Sequence, residues 1–323
     1  MFVGLRHRNF LCVLCLLCFL CFPHPFAGTP TDEILRFAVI GDSGTGKEGQ
    51  YRVARQMAAW HDRLPFELVL MLGDNIYGGL LGSGGGNRSD FEAKFDRPYA
   101  ELLRRGVVFR AALGNHDMRR RDGQDLIDSY DRFHIAGPQG YYNFTAGQAP
   151  DGAPLIEFFV LNSIRLEKDK RDPEQLAWLE QALAASRARW RIAYFHHSLY
   201  STGKHHGPDT KLRAKLEPLF RDRIQVVFSG HDHIYQRFHP HEGILYFVVG
   251  SSGQLRRGNA RPGREVAAVN DQTRTFLLVE ARSEVLSFYA VDDAGQTFDC
   301  VALAPGGSVL PLACPAGGRE EAP

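Results

Sequence analysis

The sequence predicts an α/β domain in which a second, mixed β-sheet packs on the first. Three observations carry this. Five short apolar, β-branched runs each lead, mostly through glycine, into a polar residue of the kind that binds ligands. Helix-patterned stretches lie between these runs. The last part of the chain turns to strands without long helices. Apolar runs of this length, bounded by turn residues, read as strands buried on both faces. Strands alternating with helices are the pattern of an α/β domain. The 323 residues are 44% hydrophobic and 23% charged. That composition suits a large buried core and excludes a mostly disordered, collagen-like or multi-span membrane chain.

Taken in order, the chain opens on a targeting segment. Residues 1–9 carry Arg6 and Arg8 and no acid, and residues 10–22 are an apolar run closed by Pro23. A basic start, a short apolar stretch and then turn residues describe a secretory signal peptide; the run is shorter than the ~18–20 residues a spanning helix needs. Cleavage is expected near Ala27, with an uncleaved anchor as the alternative. A lipoprotein is disfavoured, because none of the four early cysteines follows a good lipobox. The mature protein is thus expected to be secreted or periplasmic. Cysteine usage agrees: Cys12, Cys15, Cys18 and Cys21 fall in the apolar run, and only Cys300 and Cys314 remain, flanking a Gly/Pro-rich loop. In an oxidising compartment these two are expected to form a disulfide; in the cytosol they would be free thiols.

The strand runs are Ile34–Ile40 into Gly41-Asp42, Phe66–Leu72 into Gly73-Asp74, Val107–Leu113 into Gly114-Asn115-His116-Asp117, Trp190–Phe195 into His196-His197, and Ile224–Ser229 into Gly230-His231-Asp232-His233. Helices are expected over Gly49–His61, Phe91–Arg105, Gln124–Phe133, from an Asp172 cap and Pro173 to about Ala185, and over Lys211–Arg221. Ile244–Val249, Phe276–Val279, Leu286–Val291 and Phe298–Leu303 supply the second sheet. Gly79–Gly86 reads as a loop and the residues after Pro315 as a frayed tail. The domain boundaries are therefore 1–27 for the signal, 28–303 for the α/β domain and 304–323 for a C-terminal loop and tail.

In open α/β sheets, ligands bind outside the carboxyl ends of the strands. The five strand ends therefore bring Asp42, Asp74, Tyr77, Asn115, His196, His231 and His233 to one place. Seven donors exceed the three protein ligands of a catalytic zinc. They suit two ions sharing a carboxylate, with Asp74 as the bridge, since paired ions sit ~3.5–4 Å apart. His231 and His233, two apart at a strand end, can each serve one ion. Asp117 and Asp232 are expected to support the ligands rather than join them. His197 is set aside as a wall residue, and His61, His134, His239 and His241 have no spacing argument.

Gly41-Asp42-Ser43-Gly44, Gly73-Asp74-Asn75-Ile76-Tyr77, Gly114-Asn115-His116-Asp117, Ala193-Tyr194-Phe195-His196 and Gly230-His231-Asp232-His233 resemble, in order, the five blocks of the purple acid phosphatases, a family of the calcineurin-like metallophosphoesterases. The resemblance implies a four-layer αββα sandwich of two mixed β-sheets flanked by helices. The wider superfamily carries Asp-x-His in its first block; here Gly44 replaces that histidine and Tyr77 stands in for it, as in the purple enzymes. A phenolate is a hard anionic donor that suits Fe(III). The resemblance puts Asp42, Asp74, Tyr77 and His233 on the ferric ion. It puts Asp74, Asn115, His196 and His231 on a divalent Fe, Zn or Mn ion. His116 corresponds to a substrate-facing histidine. In His205-His206-Gly207 the nine-residue distance from His196 selects His205 as the second, although alignment admits either.

The reaction so implied is hydrolysis of small phosphomonoesters by direct attack of a metal-bound hydroxide, with His116 or His205 assisting the leaving group. Fe(III) would permit an acidic optimum. A phosphodiesterase on the same scaffold is the alternative, and a non-catalytic binding protein is the rival of another class. With 38 Lys+Arg against 37 Asp+Glu, nothing points to a nucleic-acid partner. No membrane partner is expected once the signal is removed, and no oligomeric state is predicted. Gly41–Lys47 nearly matches the phosphate-binding P-loop, but Glu48 replaces its Mg-binding hydroxyl, and an NTPase would leave the other four blocks unexplained.

Overall fold

The protein is described from a computed structural model covering residues 34–78, 88–119, 124–128, 130–137, 139–167 and 172–315. The expected signal peptide, the Gly79–Gly86 loop and the tail beyond Pro315 lie outside the described residues. The strands fall into three groups along the chain. The first is β1 (Leu35–Ile40), β2 (Leu68–Met71) and β3 (Val108–Ala111). The second is β4 (Tyr142–Gln148), β5 (Pro154–Val160), β6 (Trp190–Tyr194), β7 (Val226–Ser229), β8 (Tyr235–Phe238), β9 (Leu245–Val249) and β10 (Val266–Asn270). The third is β11 (Thr275–Arg282), β12 (Val285–Asp292), β13 (Thr297–Leu303) and β14 (Val309–Pro311).

One sheet has the order β14-β13-β12-β11-β1-β2-β3 and the other β10-β8-β9-β7-β6-β5-β4. Both are mixed. In the first, β1, β2 and β3 run parallel and β11 pairs antiparallel with β1, Leu35 opposite Ala281. In the second, β5, β6, β7 and β9 run parallel, with β4 and β8 antiparallel to their neighbours. Two mixed sheets with helices outside them were expected, but the division of strands differs. The late strands do not form a sheet of their own: β2 takes only one edge of β1, and β11, apolar on both faces, takes the other.

The two sheets meet through aromatic side chains. Phe37 of β1 packs edge-on against Phe158 of β5 with ring centroids 5.3 Å apart, and Phe288 of β12 lies 4.9 Å from Phe247 of β9. Buried polar tips are satisfied across the same seam, as burial requires. Trp190 Nε1 donates to the Arg282 carbonyl at 2.7 Å, and Tyr142 Oη to that of Ala111 at 3.0 Å.

Helix α1 (Glu48–Arg63) buries Val53, Met57 and Trp60, spaced four and three apart on one face. On the outer face of the second sheet, α2 (Pro173–Ala185) and α3 (Thr210–Phe220) bring Leu179, Leu183, Leu212 and Leu216 against Phe159, Phe195 and Val227. Asp172 caps α2, accepting from Gln175 N at 3.0 Å.

The expected helix over Phe91–Arg105 is broken. A helical turn at Arg88–Phe91 runs into a wider turn, in which Arg97 N donates to the Glu92 carbonyl at 2.9 Å, and the chain re-enters helix only at Ala100–Arg104. Pro98 stands at the break: it has no N–H to donate, although Arg97 before it keeps helical angles, φ −71° and ψ −49°. The Gln124–Phe133 stretch is likewise two short turns, Gln124–Ile127 and Tyr130–Phe133. At the end of the described chain, part of the expected loop is strand β14, paired with β13, and Cys300 and Cys314 are joined by a disulfide.

Candidate metal centre

Asp42, Asp74 and Asn115 follow the parallel strands β1, β2 and β3, while His196 follows β6 and His231 and His233 follow β7. Tyr77 lies three residues beyond Asp74 after β2, so the candidate donors come from the carboxyl ends of strands in both sheets, four from the first and three from the second.

The backbone is bent hard to aim them. Asp42, Asp74 and His231 all have left-handed φ, at 53°, 52° and 70°. Non-glycine residues hold such angles only where the surroundings impose them, at about 1–3 kcal/mol each, and they cluster at functional sites. Close backbone approach helps. A Cβ on Gly114 would lie 2.1 Å from Asp74 N and 2.3 Å from its Oδ1. Asp117, buried behind the donors, clamps these turns together, accepting from Gly114 N at 2.8 Å, Asn75 N at 3.2 Å and Ile76 N at 3.1 Å. Burial pushes its carboxyl up to about 7. Asp232 does similar work between His231 and His233. It accepts from Gly207 N at 3.0 Å, from Ser201 Oγ and from Asn259 Nδ2 at 3.3 Å.

The seven donors separate into two groups. Tyr77 Oη lies 3.1 Å from Asp42 Oδ1 and 3.2 Å from His233 Nε2, and those two atoms are 3.5 Å apart. On the other side, His196 Nε2 lies 3.0 Å from Asn115 Oδ1 and 3.1 Å from His231 Nδ1. Asp74 touches both groups. Its Oδ1 is 3.6 Å from His196 Nε2, and donor atoms of Asp42, Asp74 and His196 lie within 4.8 Å of one another.

The ionisation of the site fits cations. His196 Nδ1 lies 3.0 Å from the Leu72 carbonyl and donates to it, which leaves the Nε2 lone pair facing inward. Burial, then the neighbouring His231, holds His196 well below the usual histidine range; burial and His197 push His231 down to about 2. Both are neutral, as metal ligands must be. Asp74 is raised well above the carboxylate range by burial and then by Asp42, and Tyr77 well above the phenol range by burial and then by Asp42 and Asp74. Buried anions this close need positive charge among them. Carboxylate, phenol, amide and imidazole donors in two groups sharing Asp74 fit two metal ions.

His116 N donates to Asp74 Oδ1 at 2.8 Å, and its ring lies 4.6 Å from that of Tyr77. The second histidine differs from the expectation. His206, not His205, lies against the donors, its ring 3.9 Å from that of His231 and 6.2 Å from that of His233. His205 is drawn aside, its N donating to Asn259 Oδ1 at 3.0 Å and its ring edge-on to that of His206. Counting from His196 selects His205, but the intervening segment turns toward Asn259, a contact with no local signal, and leaves His206 the ring nearer the donors. His197, set aside in the sequence, has its ring 4.6 Å from that of His231 and its Nδ1 3.1 Å from Ser163 Oγ. The P-loop-like segment is closed on itself: Gly46 N donates to Gln50 Oε1 at 2.8 Å and Lys47 N to Thr45 Oγ1 at 3.2 Å, so these amides are not free to cradle a phosphate.

A model of the calcineurin-like phosphoesterase family matches residues 35–235, all five ligand blocks included. The chain belongs to that family. Among its relatives, purple acid phosphatase 17 of Arabidopsis thaliana is 28% identical over 255 residues, which are 72% of this chain and 72% of that protein. Tartrate-resistant acid phosphatase type 5 of Rattus norvegicus is 24% identical over 293 residues, 81% of this chain and 88% of its own length. These relatives bear out the resemblance to purple acid phosphatases. In fold, the chain is similar to purple acid phosphatase PPD1 from yellow lupin seeds, with a TM-score of 0.67 at 16% identity over 85% of this chain and 54% of that one. It is also similar in fold to GAP50, the anchor in the inner membrane complex of Plasmodium, with a TM-score of 0.70 at 17% identity over 89% and 90% of the two chains.

Proposed function

We propose that the protein is an exported acid phosphatase of the purple type, hydrolysing small phosphomonoesters at two metal ions. The observation that carries this reading is the position of Asp74, in reach of both donor groups. In this reading Asp42, Asp74, Tyr77 and His233 hold Fe(III), and Asp74, Asn115, His196 and His231 hold a divalent Fe, Zn or Mn ion. The ferric assignment is supported by the phenol oxygen of Tyr77 beside Asp42 and His233. When bound, the ions supply Lewis acidity toward a phosphate oxygen and lower the pKa of water.

The chain's own part is to hold the donors and manage protons. His116 and His206 stand at opposite ends of the donor cluster, one over Tyr77 and the other over His231. Either is placed to donate a proton to a departing alkoxide or to offset charge on the phosphoryl oxygens. Export is read from residues 1–27 and is supported by the Cys300–Cys314 disulfide, a bond that belongs to oxidising compartments. Among the described residues no helix is long and apolar enough to cross a membrane.

The test is hydrolysis of phenyl phosphate and of a phenyl diester by the metal-loaded protein at acid and neutral pH. Faster cleavage of the monoester, favoured at acid pH, is expected. Preference for the diester would make the protein a phosphodiesterase, and inactivity on both would make it a binding protein on this fold.

A further inference from the structure

Tyr77 carries its donor oxygen on the longest side chain of the set, so a small movement of its backbone displaces that oxygen most. The structure fixes the two ends of the residue separately. The ring lies 4.6 Å from that of His116 and 6.3 Å from that of His233. The backbone is gripped on both sides. Tyr77 N donates to the Gly44 carbonyl at 2.9 Å, and the Tyr77 carbonyl accepts from Lys94 Nζ at 2.6 Å.

Lys94 is built for that contact. Its side chain is 12% exposed and pairs with Asp90, itself 17% exposed and four residues earlier. An ammonium so withdrawn from water must place its protons on fixed partners. Pairing with Asp90 alone would hold the local turn; the bond to Tyr77 spans 17 residues and reaches the loop that carries the donors. The turn around Lys94 is itself irregular. Glu92–Asp96 is wound wider than an α-helix, and such turns are rare and gather at functional sites. It is braced from the P-loop-like segment. Gln50, fully buried, donates through Nε2 to the Lys94 carbonyl at 2.6 Å and accepts from Gly46 N at 2.8 Å. Gly46 has a left-handed φ of 67°, and a Cβ there would lie 3.1 Å from Lys94 Cγ. The stretch whose amides are closed to phosphate thus seats the stem of Lys94.

We propose that Lys94 is the positioning residue for Tyr77. By holding the carbonyl of that residue, it keeps the phenol oxygen beside Asp42 and His233, and so sets how firmly that donor group holds iron. The proposal rests on the reading of Tyr77 as a ligand of Fe(III). It goes beyond that reading in assigning the strength of the Tyr77 ligand to a lysine outside the donor set. A rival role exists, because Lys94 also lines the cleft of about 270 Å³ beside Tyr77 and His116. Contact with substrate from that wall would change KM and leave the iron as it was.

The experiment uses iron-loaded, oxidised wild type, Lys94→Met, Lys94→Arg, Tyr77→Phe and the double variant Tyr77→Phe/Lys94→Met. It reads the visible charge-transfer band and the chelator concentration that removes half the iron, with KM for phenyl phosphate alongside. Lys94→Met is expected to shift and weaken the band and to lower that concentration about 10–100-fold, the range for losing a group that orients a metal ligand. Lys94→Arg should restore most of both. In the Tyr77→Phe background, Lys94→Met should change iron retention less than about twofold, since the oxygen it positions is gone. An unchanged band and unchanged iron retention in Lys94→Met overturn the proposal while Tyr77 stays a ligand. Equal iron losses with and without the Tyr77 oxygen overturn it too, and make Lys94 a brace of its own turn. A raised KM with the iron unmoved places Lys94 against substrate instead. If Lys94→Met does not fold, Lys94→Gln, one bond shorter and uncharged, replaces it with the same expectation. Colourless wild type with confirmed Fe(III) overturns the ligand reading of Tyr77 and the proposal with it.

Discussion

Gly44 and Asn75 stand so close that a Cβ at position 44 would lie 1.8 Å from the Asn75 carbonyl oxygen. The wider superfamily places a histidine at this point of the first block, and here no side chain fits. The backbone of 44 is pressed onto the turn that carries Tyr77, whose N donates to the Gly44 carbonyl at 2.9 Å. Gly44→Ala should cost about 3 kcal/mol or more, the range of overpacking in a rigid site, because the obstacle is backbone. Thermal or denaturant unfolding measures this. A Gly44→His variant that keeps wild-type stability would show that the turn is not rigid.

Removing His206 should lower turnover on esters with poor leaving groups roughly 10²–10⁴-fold if it acts as a general acid, and the same holds for His116. His205→Ala should change little, since its ring faces His206 rather than the donors. The losses should shrink on esters whose leaving group departs without a proton. Steady-state rates across a leaving-group series read this directly. A large loss in His205→Ala with none in His206→Ala would return the role to His205.

Histidine burial predicts an acid-sensitive fold in metal-free protein. In the folded state His231 is pushed down to about 2 by burial and by His197, whereas an unfolded histidine titrates near about 6.5. Below about 6.5 the unfolded chain therefore binds a proton that the folded chain refuses, and stability falls as pH falls. Asp74, raised in the fold, contributes with the opposite sign above about 3.8, because there the folded chain holds the extra proton. The contribution of His231 is isolated by comparing wild type with His231→Gln. Between pH 6 and 5 the variant should lose about 1 kcal/mol per pH unit of slope. Parallel stability curves would mean that His231 is protonated in the fold.

Much of this site was legible in the sequence because each donor follows an apolar strand run. Asp42, Asp74, Asn115, His196, His231 and His233 are tied to strand ends, and strand ends are marked by local residue type. What was not legible depends on distant contacts. Asn259 lies far along the chain from both Asp232 and His205, yet it holds both, and through them it decides that His206 faces the donors. The allocation of strands between sheets was hidden for a similar reason. Whether β11 pairs with β1 or begins a separate sheet is a question of long-range register, and the composition of Thr275–Arg282 suits either. β4 was missed because its exposed edge mixes Asn143, Thr145 and Gly147 with its apolar residues. The break near Pro98 could have been foreseen from the proline alone.

Tyr77 offers a test by colour. A phenolate on Fe(III) absorbs visible light through charge transfer from ligand to metal, so iron-loaded, oxidised protein should be purple or pink. Tyr77→Phe removes only the oxygen that lies 3.1 Å from Asp42 Oδ1 and 3.2 Å from His233 Nε2. The absorption band should vanish while the fold remains. Colourless wild type with confirmed Fe(III) would remove Tyr77 from the ligand set, and with it the argument for an acidic optimum.

Everything in the functional account turns on two ions sharing Asp74, and metal content per chain measures that most directly. Purified wild type should carry two ions, one of them iron, by elemental analysis. Asp74→Asn should lose both or retain one poorly held, because an amide has a single good donor oxygen and no charge to share. One tightly bound ion in a fully active wild type, or an Asp74→Asn variant that still holds two, would contradict the binuclear centre.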